Sequence, residues 1–273
     1  MSEKKELIAI VSSSTAAPGV LSLQSASLGL PCELVLASPY DQNIKETLER
    51  ADHIIFRMGP KSFPQYKLLL SKLEGRLYAE LKKVIRAFDK IETFEILSKS
   101  GIPTPRSWKI TNRYLYDGKP FVAKIAKGNQ GNGVELIDSQ VKLNEFFEIY
   151  SDEDEFLAQE YIGESHGKDK RLFIIGDKVV AAMERLSGSD DFRANLHQGG
   201  EGKAYLPTTH EESIALQAIK AFGLEYGGVD IIDSNQGPLV LEVNPSPGFG
   251  ISQVTSVDVA NKILEYMIGV KND

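Results

Sequence analysis

The sequence predicts an α/β region at the N-terminal end, followed by an α+β region in the rest of the chain. Two patterns support this prediction. Apolar runs alternate with helical patterns over residues 1–60, whereas later strands occur as pairs joined by glycine turns. The length of 273 residues, at roughly 150 residues per domain, gives about two domains.

The first region is expected to be a small α/β domain over residues 1–86. Its predicted strands are LIAIVSS (7–13), ELVLAS (33–38) and HIIFRM (53–58). Helical patterns between and after these runs favour a parallel sheet. The segment SSSTAAPG (12–19) follows the first strand, but its glycine spacing is not that of a dinucleotide fingerprint, which disfavours nucleotide binding there.

Charge and composition exclude several function classes. The net charge of −7 and the pI of about 5.3 disfavour nucleic acid as a partner, because its binding proteins present basic surfaces. Cys32 is the only cysteine, so an internal disulfide and a cysteine-rich metal site are excluded. The apolar run at 7–11 is too short for a secretory signal, and no stretch approaches the roughly 18 apolar residues of a membrane span. We therefore expect a cytoplasmic protein that does not contact membranes.

The second region, residues 87–162, is expected to combine helices with strands and a glycine-rich loop. A helix is predicted over 89–101, because Asp89 lies near its start and Gly101 at its end. The other predicted elements are an edge strand in IPTPRSWKI, a hairpin of FVAKIAK (121–127) and VELI (134–137), a helix in VKLNEFFEIY, and a strand at EFLAQEYI (155–162).

The third region, residues 163–273, is expected to be α+β. Gly176 and Asp177 predict a tight turn between two strands within 171–185. The remaining predicted elements are a loop at 186–204, a helix at 210–224, a hairpin at 227–244 and a helix at 257–269.

The loop GNQGNG (128–133) is the first candidate binding feature. Three glycines in six residues expose backbone N–H groups that can wrap phosphate oxygens. No Lys-Ser/Thr follows the last glycine, so the loop is not a Walker A motif. A plain hairpin turn explains the same residues equally well.

Asp230, Glu242 and Asn244 form a candidate metal site. A three-residue connection at 235–237 would place Asp230 directly opposite Glu242, and Glu242 and Asn244 share a strand face. Oxygen ligands of this kind suit Mg²⁺ bound to phosphates. Solvent-facing polar alternation is the alternative, and it is disfavoured because these apolar strands would bury unpartnered acids at a cost of several kcal/mol.

Several cations lie near these motifs. Lys124 interrupts an apolar strand, where a lysine needs a partner such as phosphate. Lys90 opens a helix, and a solvated surface position is an equal alternative for it. Arg171 lies in the 171–185 hairpin. The segment ERLSGSDDFRANLHQGG (184–200), with Arg185 and Arg193, could bind a carboxylate and stabilise an oxyanion, or could be a solvated loop.

Other catalytic classes lack support. The four histidines do not have zinc-ligand spacing, and we expect them to be structural or surface residues. No Ser-His-Asp order or nucleophile elbow is present, and Cys32 has no evident base partner. Covalent nucleophilic catalysis is therefore not expected.

Taken together, six motifs resemble the RimK-type α-L-glutamate ligases of the ATP-grasp superfamily. They keep that family's order and approximate spacing and span about residues 85–270: VAKIAKGNQGNGVEL, AQEYI, GKDKRLFIIGDKVVAAMER, DFRANLHQGG, GGVDII and GPLVLEVNPSPG. The resemblance implies a small N-terminal α/β domain followed by an ATP-grasp fold with two subdomains, over 87–162 and 163–273.

The resemblance also implies roles for the matched positions. Lys90 and Lys124 resemble the ATP-phosphate lysines, and Gly128, Gln130, Gly131 and Gly133 the loop over the phosphates. Glu160, Tyr161 and Ile162 resemble the adenine hinge, and Asp169 the ribose contact. Asp230, Glu242 and Asn244 resemble magnesium ligands, and Arg171, Arg185, Arg193 and Asn195 the contacts to the carboxylate and the acyl phosphate.

The activity implied by the resemblance is ATP-dependent amide formation through an acyl phosphate. ATP and two Mg²⁺ ions, for which Mn²⁺ can substitute, are the implied cofactors. Glutamate is the implied amino acid, and a carboxylate of a peptide, protein or cofactor is the implied acceptor. The alternatives are a ligase for an amino-group carrier protein, a peptide-crosslinking ligase and an ATP-grasp phosphotransferase. A homo-oligomer is compatible with the resemblance.

The chain departs from the family pattern at Lys170, where an apolar residue usually separates the acid and the arginine of a D-x-R strand. A side chain that points into the cleft would alter substrate preference, whereas an outward one would not. The short N-terminal domain is a second departure, and it makes the acceptor the least transferable inference.

Overall fold

The computed structural model describes residues 5–127, 133–151, 155–188, 191–194 and 200–269. Within these ranges the chain forms three β-sheets and nine α-helices. The first sheet is parallel and the other two are antiparallel, which confirms the predicted succession of α/β and α+β regions. No helix of the described residues is long and apolar enough to cross a membrane.

The N-terminal sheet has the strand order β2-β1-β3, and all three strands were predicted. Its elements, with the helices that follow, are β1 (Glu6–Val11), α1 (Pro18–Ser27), β2 (Cys32–Ala37), α2 (Ile44–Arg50), β3 (His53–Phe56), α3 (Phe63–Lys72) and α4 (Gly75–Phe88). The central strand β1 is buried at Ile8 and Ile10 because helices and neighbouring elements cover the sheet.

The second sheet has the order β4-β7-β5-β6. Its region comprises α5 (Lys90–Lys99), β4 (Ser107–Ile110), β5 (Phe121–Ile125), β6 (Val134–Ile137), α6 (Gln140–Ile149) and β7 (Phe156–Glu160). As predicted, β4 is an edge strand and β5 and β6 pair as a hairpin. The carboxylate of Asp89 accepts hydrogen bonds from the N–H groups of Ile91 and Glu92, so it caps α5 and sets where Lys90 begins the helix.

The third sheet has the order β10-β9-β8-β11-β12. Its region comprises β8 (Lys168–Ile175), β9 (Lys178–Leu186), β10 (Glu201–Ala204), α7 (Thr209–Phe222), β11 (Tyr226–Ser234), β12 (Gly237–Asn244), α8 (Ile251–Thr255) and α9 (Val259–Met267). The prediction of a loop throughout 186–204 was wrong at its end, where β10 pairs with β9. Its sequence EGKA is too short and polar to signal a strand, but β9 offers it an open edge and Lys203 pairs with Glu184 at 2.6 Å.

The β11–β12 hairpin places Asp230 opposite Glu242 as predicted, but by a different route. The connection has two residues, not three, because Gly237 pairs with Ser234 and starts β12. A β-bulge then shifts the register between Asp230 and Ile231 and restores the expected pair.

Buried contacts join the N-terminal sheet to the third sheet. Ile8 and Ile10 belong to the same hydrophobic cluster as Phe173 of β8 and Ile263 of α9. A second cluster packs α5 and α7 against β8, β11 and β12. These two clusters join the N-terminal sheet and α5 to the third sheet. The domain limits after residues 86 and 162 remain predictions.

Candidate active site

A cavity of about 610 Å³ lies between the two antiparallel sheets. Its walls come from α5, β5 and β7 on one side and from β8, β9, β11 and β12 on the other. Twelve of the residues predicted for the site line it: Lys90, Lys124, Glu160, Tyr161, Ile162, Asp169, Arg171, Arg185, Arg193, Asp230, Glu242 and Asn244. The predicted residues Gly128, Gln130, Gly131 and Asn195 lie outside the described residues.

Gly133 is the described end of the glycine-rich loop. Its φ is +66°, and an added Cβ would lie 2.0 Å from Cδ1 of Ile125. Its carbonyl accepts a hydrogen bond from the N–H of Ile125 at 2.8 Å, which closes the hairpin beneath the loop. A side chain at this position would therefore both strain the backbone and displace β5.

Two lysines project into the cavity from the first wall. The ammonium of Lys124 donates to Oε1 of Gln159 at 2.6 Å, and burial lowers the pKa of Lys124 to about 8. Burial also lowers the pKa of Lys90, against the attraction of Glu242. The Lys90 N–H donates to the Ala126 carbonyl at 2.9 Å, which joins the start of α5 to the end of β5. Lys90 therefore lines the cavity and does not occupy the solvated surface position that was its alternative.

Asp230 lies on the opposite wall between two arginines. Its carboxylate accepts hydrogen bonds from Nε and Nη2 of Arg171 and from Nη2 of Arg185, each at 2.6 Å. Although burial acts in the opposite direction, the two guanidinium groups hold the pKa of Asp230 well below its usual range. Asp230 is therefore ionised throughout the physiological pH range.

Glu242 faces Asp230 across the hairpin. Its Oε1 is 3.7 Å from Nη2 of Arg171, and its side chain is half-exposed to the cavity. Burial, followed by repulsion from Asp230, raises the pKa of Glu242. Oδ1 of Asn244 accepts a hydrogen bond from the Ser246 N–H at 3.0 Å.

These oxygens fit a hard divalent cation. A cation beside Glu242 and Asp230 would offset the repulsion between these two carboxylates, which face each other across the hairpin. Within the described ranges, no group of three or more His, Cys, Asp and Glu side chains converges on a common point. The candidate site therefore consists of two carboxylates and an amide, and ligands from a bound substrate would have to complete it.

Asp169 and Arg185 form a second bidentate pair. Nε and Nη2 of Arg185 lie 2.6 and 2.7 Å from the two carboxylate oxygens of Asp169. Burial raises the pKa of Asp169 to about 6, against the attraction of Arg185. Arg185 thus links Asp169 to Asp230 in one buried charge network.

Arg193 connects the two walls. Its Nη2 pairs with Asp191 at 2.7 Å, and its Nη1 donates to the Val134 carbonyl of β6 at 3.1 Å. The neighbouring Phe192 packs edge-on against Tyr161, with ring centroids 6.5 Å apart. The predicted arginine is therefore fixed between the hairpin below the glycine loop and the segment that follows β7.

A protein-family model matches most of the sequence. The model described as the RimK-like ATP-grasp domain matches residues 87–267, which is most of the chain. The chain belongs to the RimK-like ATP-grasp family. It is therefore an enzyme of the ATP-grasp ligase class.

A curated relative agrees with this family. The "probable alpha-L-glutamate ligase" of Cellvibrio japonicus is 37% identical over 248 residues, which cover 86% of this chain and 82% of the relative. This share of the chain is larger than residues 87–267, which the family model covers. Part of the N-terminal region is therefore shared as well.

Solved structures confirm the ATP-grasp fold. D-cycloserine synthetase superposes with a TM-score of 0.73 at 16% identity, over 97% of this chain and all of that one. The ATP-grasp ligase PsnB, solved with a phosphomimetic precursor variant, Mg and ADP, gives a TM-score of 0.65 at 18% identity, over 97% and 98% of the two chains. At such identities the likeness concerns the fold alone.

In this RimK-like enzyme, Lys170 points away from the cavity. Its ammonium lies 2.8 Å from Oε1 of Glu211 and 2.7 Å from Oδ2 of Asp233, and it stacks over the Tyr205 ring at 4.9 Å. Since alternate residues of a strand face opposite sides, Asp169 and Arg171 face the cavity and Lys170 faces α7. Of the two orientations considered for the Lys170 side chain, the structure therefore shows the one that points away from the cavity.

Three further residues of the RimK-like enzyme were not predicted. Gln159 holds Lys124, and Asp191 holds Arg193. The half-buried Arg57 donates to the Pro247 carbonyl at 3.0 Å and stacks on Phe249 at 4.3 Å. A polar residue within the apolar strand FLAQE was the available signal for Gln159.

Two contacts position the predicted hinge that follows β7. Nδ1 of the exposed His166 is 2.5 Å from the hydroxyl of Tyr161, a residue of the predicted hinge. The Glu160 N–H donates to the Arg106 carbonyl at 2.8 Å. This hydrogen bond joins the end of β7, where the predicted hinge begins, to the segment that precedes β4.

Proposed function

We propose that this enzyme joins a carboxylate to an amine, using ATP and an acyl-phosphate intermediate. The observation that carries the proposal is the convergence of two lysines, two carboxylates and three arginines on one cavity between two sheets. Cations on one wall suit a triphosphate, and paired acids on the other suit its metal ions. Arginines beside those acids suit a carboxylate and an oxyanion.

The nucleotide would lie along the first wall. Lys90 and Lys124 would contact its phosphates. The glycine-rich loop at 128–133 is assigned the role of covering them from its sequence alone. The hinge residues Glu160, Tyr161 and Ile162 bind adenine, and Asp169 contacts the ribose. The depressed pKa of each lysine favours this assignment, because a phosphate supplies the charge that a buried ammonium lacks.

Asp230, Glu242 and Asn244 would hold Mg²⁺ at the other wall, with two ions expected and Mn²⁺ as a substitute. A metal held by these residues would supply positive charge that offsets the negative charge developing during phosphoryl transfer. Arg171 and Arg185 fix Asp230 for this purpose, since its oxygens are already oriented by three hydrogen bonds.

The reaction has two steps. In the first, a carboxylate oxygen attacks the γ-phosphorus of ATP, ADP leaves, and an acyl phosphate forms. In the second, an amine attacks the carbonyl carbon, the C–O bond to phosphate breaks, and the amine loses a proton as phosphate departs. Arg193 and Arg185 stabilise the oxyanion of the tetrahedral intermediate, together with Asn195 and Arg171.

Glutamate is the proposed amino acid, and the acceptor is a carboxylate of a peptide, protein or cofactor. The name of the Cellvibrio relative supports glutamate. The testing experiment measures ADP release with ATP and Mg²⁺ across amino acids, singly and in pairs, with mass spectrometry of the products. A product heavier by one amino-acid residue, formed together with ADP, is expected. Phosphorylation of a hydroxyl without amide formation would instead indicate a phosphotransferase.

A further inference from the structure

Gln159 is a buried amide with both ends engaged. The residue is 4% exposed within β7. Its Oε1 accepts from Nζ of Lys124 at 2.6 Å, and its Nε2 donates to Oγ of Ser107 at 3.2 Å. The Ser107 hydroxyl in turn donates to the Pro105 carbonyl at 3.0 Å. Because that proton is used on Pro105, Ser107 can only accept from Gln159, and the amide oxygen must point to the lysine.

Strand register brings the pair together. In the β5–β7 ladder, Val122 pairs with Gln159 and Lys124 pairs with Leu157. Lys124 and Gln159 are therefore diagonal neighbours on one face of the sheet, within reach of each other's long side chains. All four residues line the cavity, so this face is the floor beneath the proposed phosphate site.

We propose that Gln159 is the positioning residue that holds Lys124 at the phosphate end of the cavity while leaving its charge available to the nucleotide. The inference rests on the proposed role of Lys124 in binding ATP. An ammonium has three protons, and the contact with Gln159 uses one of them. Because Gln159 is uncharged, it accepts this hydrogen bond in the absence of nucleotide and leaves the positive charge of Lys124 unpaired with a carboxylate at this contact.

A carboxylate at position 159 would act differently. It would form an ion pair with Lys124, which incoming phosphates would have to break before they could use the same ammonium. The side chains of glutamine and glutamate have nearly the same shape, so Gln159→Glu changes charge with little change in packing. Gln159→Met removes the acceptor without adding charge and serves as a second variant.

The test measures the Kd of ATP by calorimetric titration of the full chain without metal. Gln159→Glu is expected to weaken binding about 10- to 100-fold, the effect of losing one charge-assisted hydrogen bond. Gln253→Glu is the matched control, because it adds the same charge to the α8 wall of the cavity, which no proposed phosphate contact occupies. Thermal unfolding checks that each variant folds. If Gln159→Glu does not fold, Gln159→Met is measured instead, with about tenfold weakening expected.

A double-mutant cycle separates positioning from a structural role. In a Lys124→Met background, Gln159→Glu should change the ATP Kd less than about threefold, because the residue acts through the lysine. Lys90 and the hinge remain in that background and keep ATP binding measurable. Equal weakening in both backgrounds, or a Gln159→Glu affinity like that of Gln253→Glu, would overturn the inference. Failure of the unsubstituted chain to bind ATP would instead contradict the proposed function.

Discussion

Arg171 holds Asp230 in a bidentate ion pair, with Nε and Nη2 each 2.6 Å from one of its carboxylate oxygens. The two residues face each other across β8 and β11, where they are direct partners in the ladder. Arg185 adds a third hydrogen bond to the same carboxylate at 2.6 Å. This arrangement makes the proposed metal ligand part of a buried charge network as well.

Breaking this network should cost stability. Asp230→Asn retains volume but leaves Arg171 without its bidentate carboxylate, and removing one partner of a buried ion pair costs about 3–5 kcal/mol. We expect a decrease of that size in the free energy of unfolding, measured in urea. Asp177→Asn, at an exposed turn, should stay within about 0.5 kcal/mol of the wild type. Equal stability of the two variants would contradict the network.

Glu242 should govern the metal dependence of turnover. Glu242→Gln keeps the shape of the side chain but removes the charge that would bind Mg²⁺, so Mg²⁺-dependent ADP release should be abolished. The measurement is ADP release as a function of Mg²⁺ concentration, with the exposed Glu225→Gln as control. Normal turnover in Glu242→Gln would remove the proposed metal site.

The affinity for ATP should fall at alkaline pH. The pKa of Lys124 is lowered to about 8, so the side chain is charged below that pH and loses its proton above it. Binding to phosphate then requires proton uptake, and the Kd should rise up to about tenfold per pH unit above 8. Titrations between pH 7.5 and 9.5 measure this slope. Lys124→Arg, which stays charged, should show a flatter profile, and an identical slope in both proteins would refute the assignment.

Arg193 should matter more for turnover than for nucleotide binding. Removing an oxyanion donor typically costs about 10²- to 10³-fold in rate, and Arg193→Ala should lose that much turnover. Its ATP affinity should remain near that of the wild type, because Lys90, Lys124 and the hinge are unchanged. Steady-state kinetics and a binding titration separate the two effects. Near-normal turnover would show that Arg193 does not contact the reacting group.

Arg57 should stabilise the loop that follows β12. Its guanidinium donates to the Pro247 carbonyl and stacks on Phe249, so Arg57→Leu should lower the free energy of unfolding by about 1–3 kcal/mol. The exposed Arg50→Leu on α2 is the control, with an effect within about 0.5 kcal/mol. Urea unfolding of both variants checks the difference, which would be absent if the Arg57 contacts contributed nothing.

Short sequence patterns predicted many of the strands and site residues of this enzyme. The features that these patterns missed have physical causes. The pairing of Asp230 with Glu242 was predicted from a three-residue connection, whereas the structure has a two-residue connection and a β-bulge that together give the same pair. The position of a bulge depends on packing that the sequence does not show. The side of the strand that Lys170 faces was left open because both faces of β8 are covered.

Residues with distant partners were the hardest to find. Gln159 and Lys124 are 35 positions apart, and Arg57 and Pro247 are 190 apart. No local pattern reports such contacts, because they depend on how complete elements pack. A polar residue in an apolar strand signals that a partner exists, but it does not identify the partner.

The proposed acyl phosphate can be tested by following one oxygen atom of the carboxylate substrate. If a carboxylate attacks ATP and an amine then displaces phosphate, one carboxylate oxygen must end up in the released phosphate. The carboxylate substrate that the amino-acid panel identifies, labelled with ¹⁸O, would be incubated with the enzyme, ATP, Mg²⁺ and the amine, and the phosphate analysed by mass spectrometry. We expect one ¹⁸O atom per phosphate released, whereas phosphate without label would exclude an acyl-phosphate intermediate.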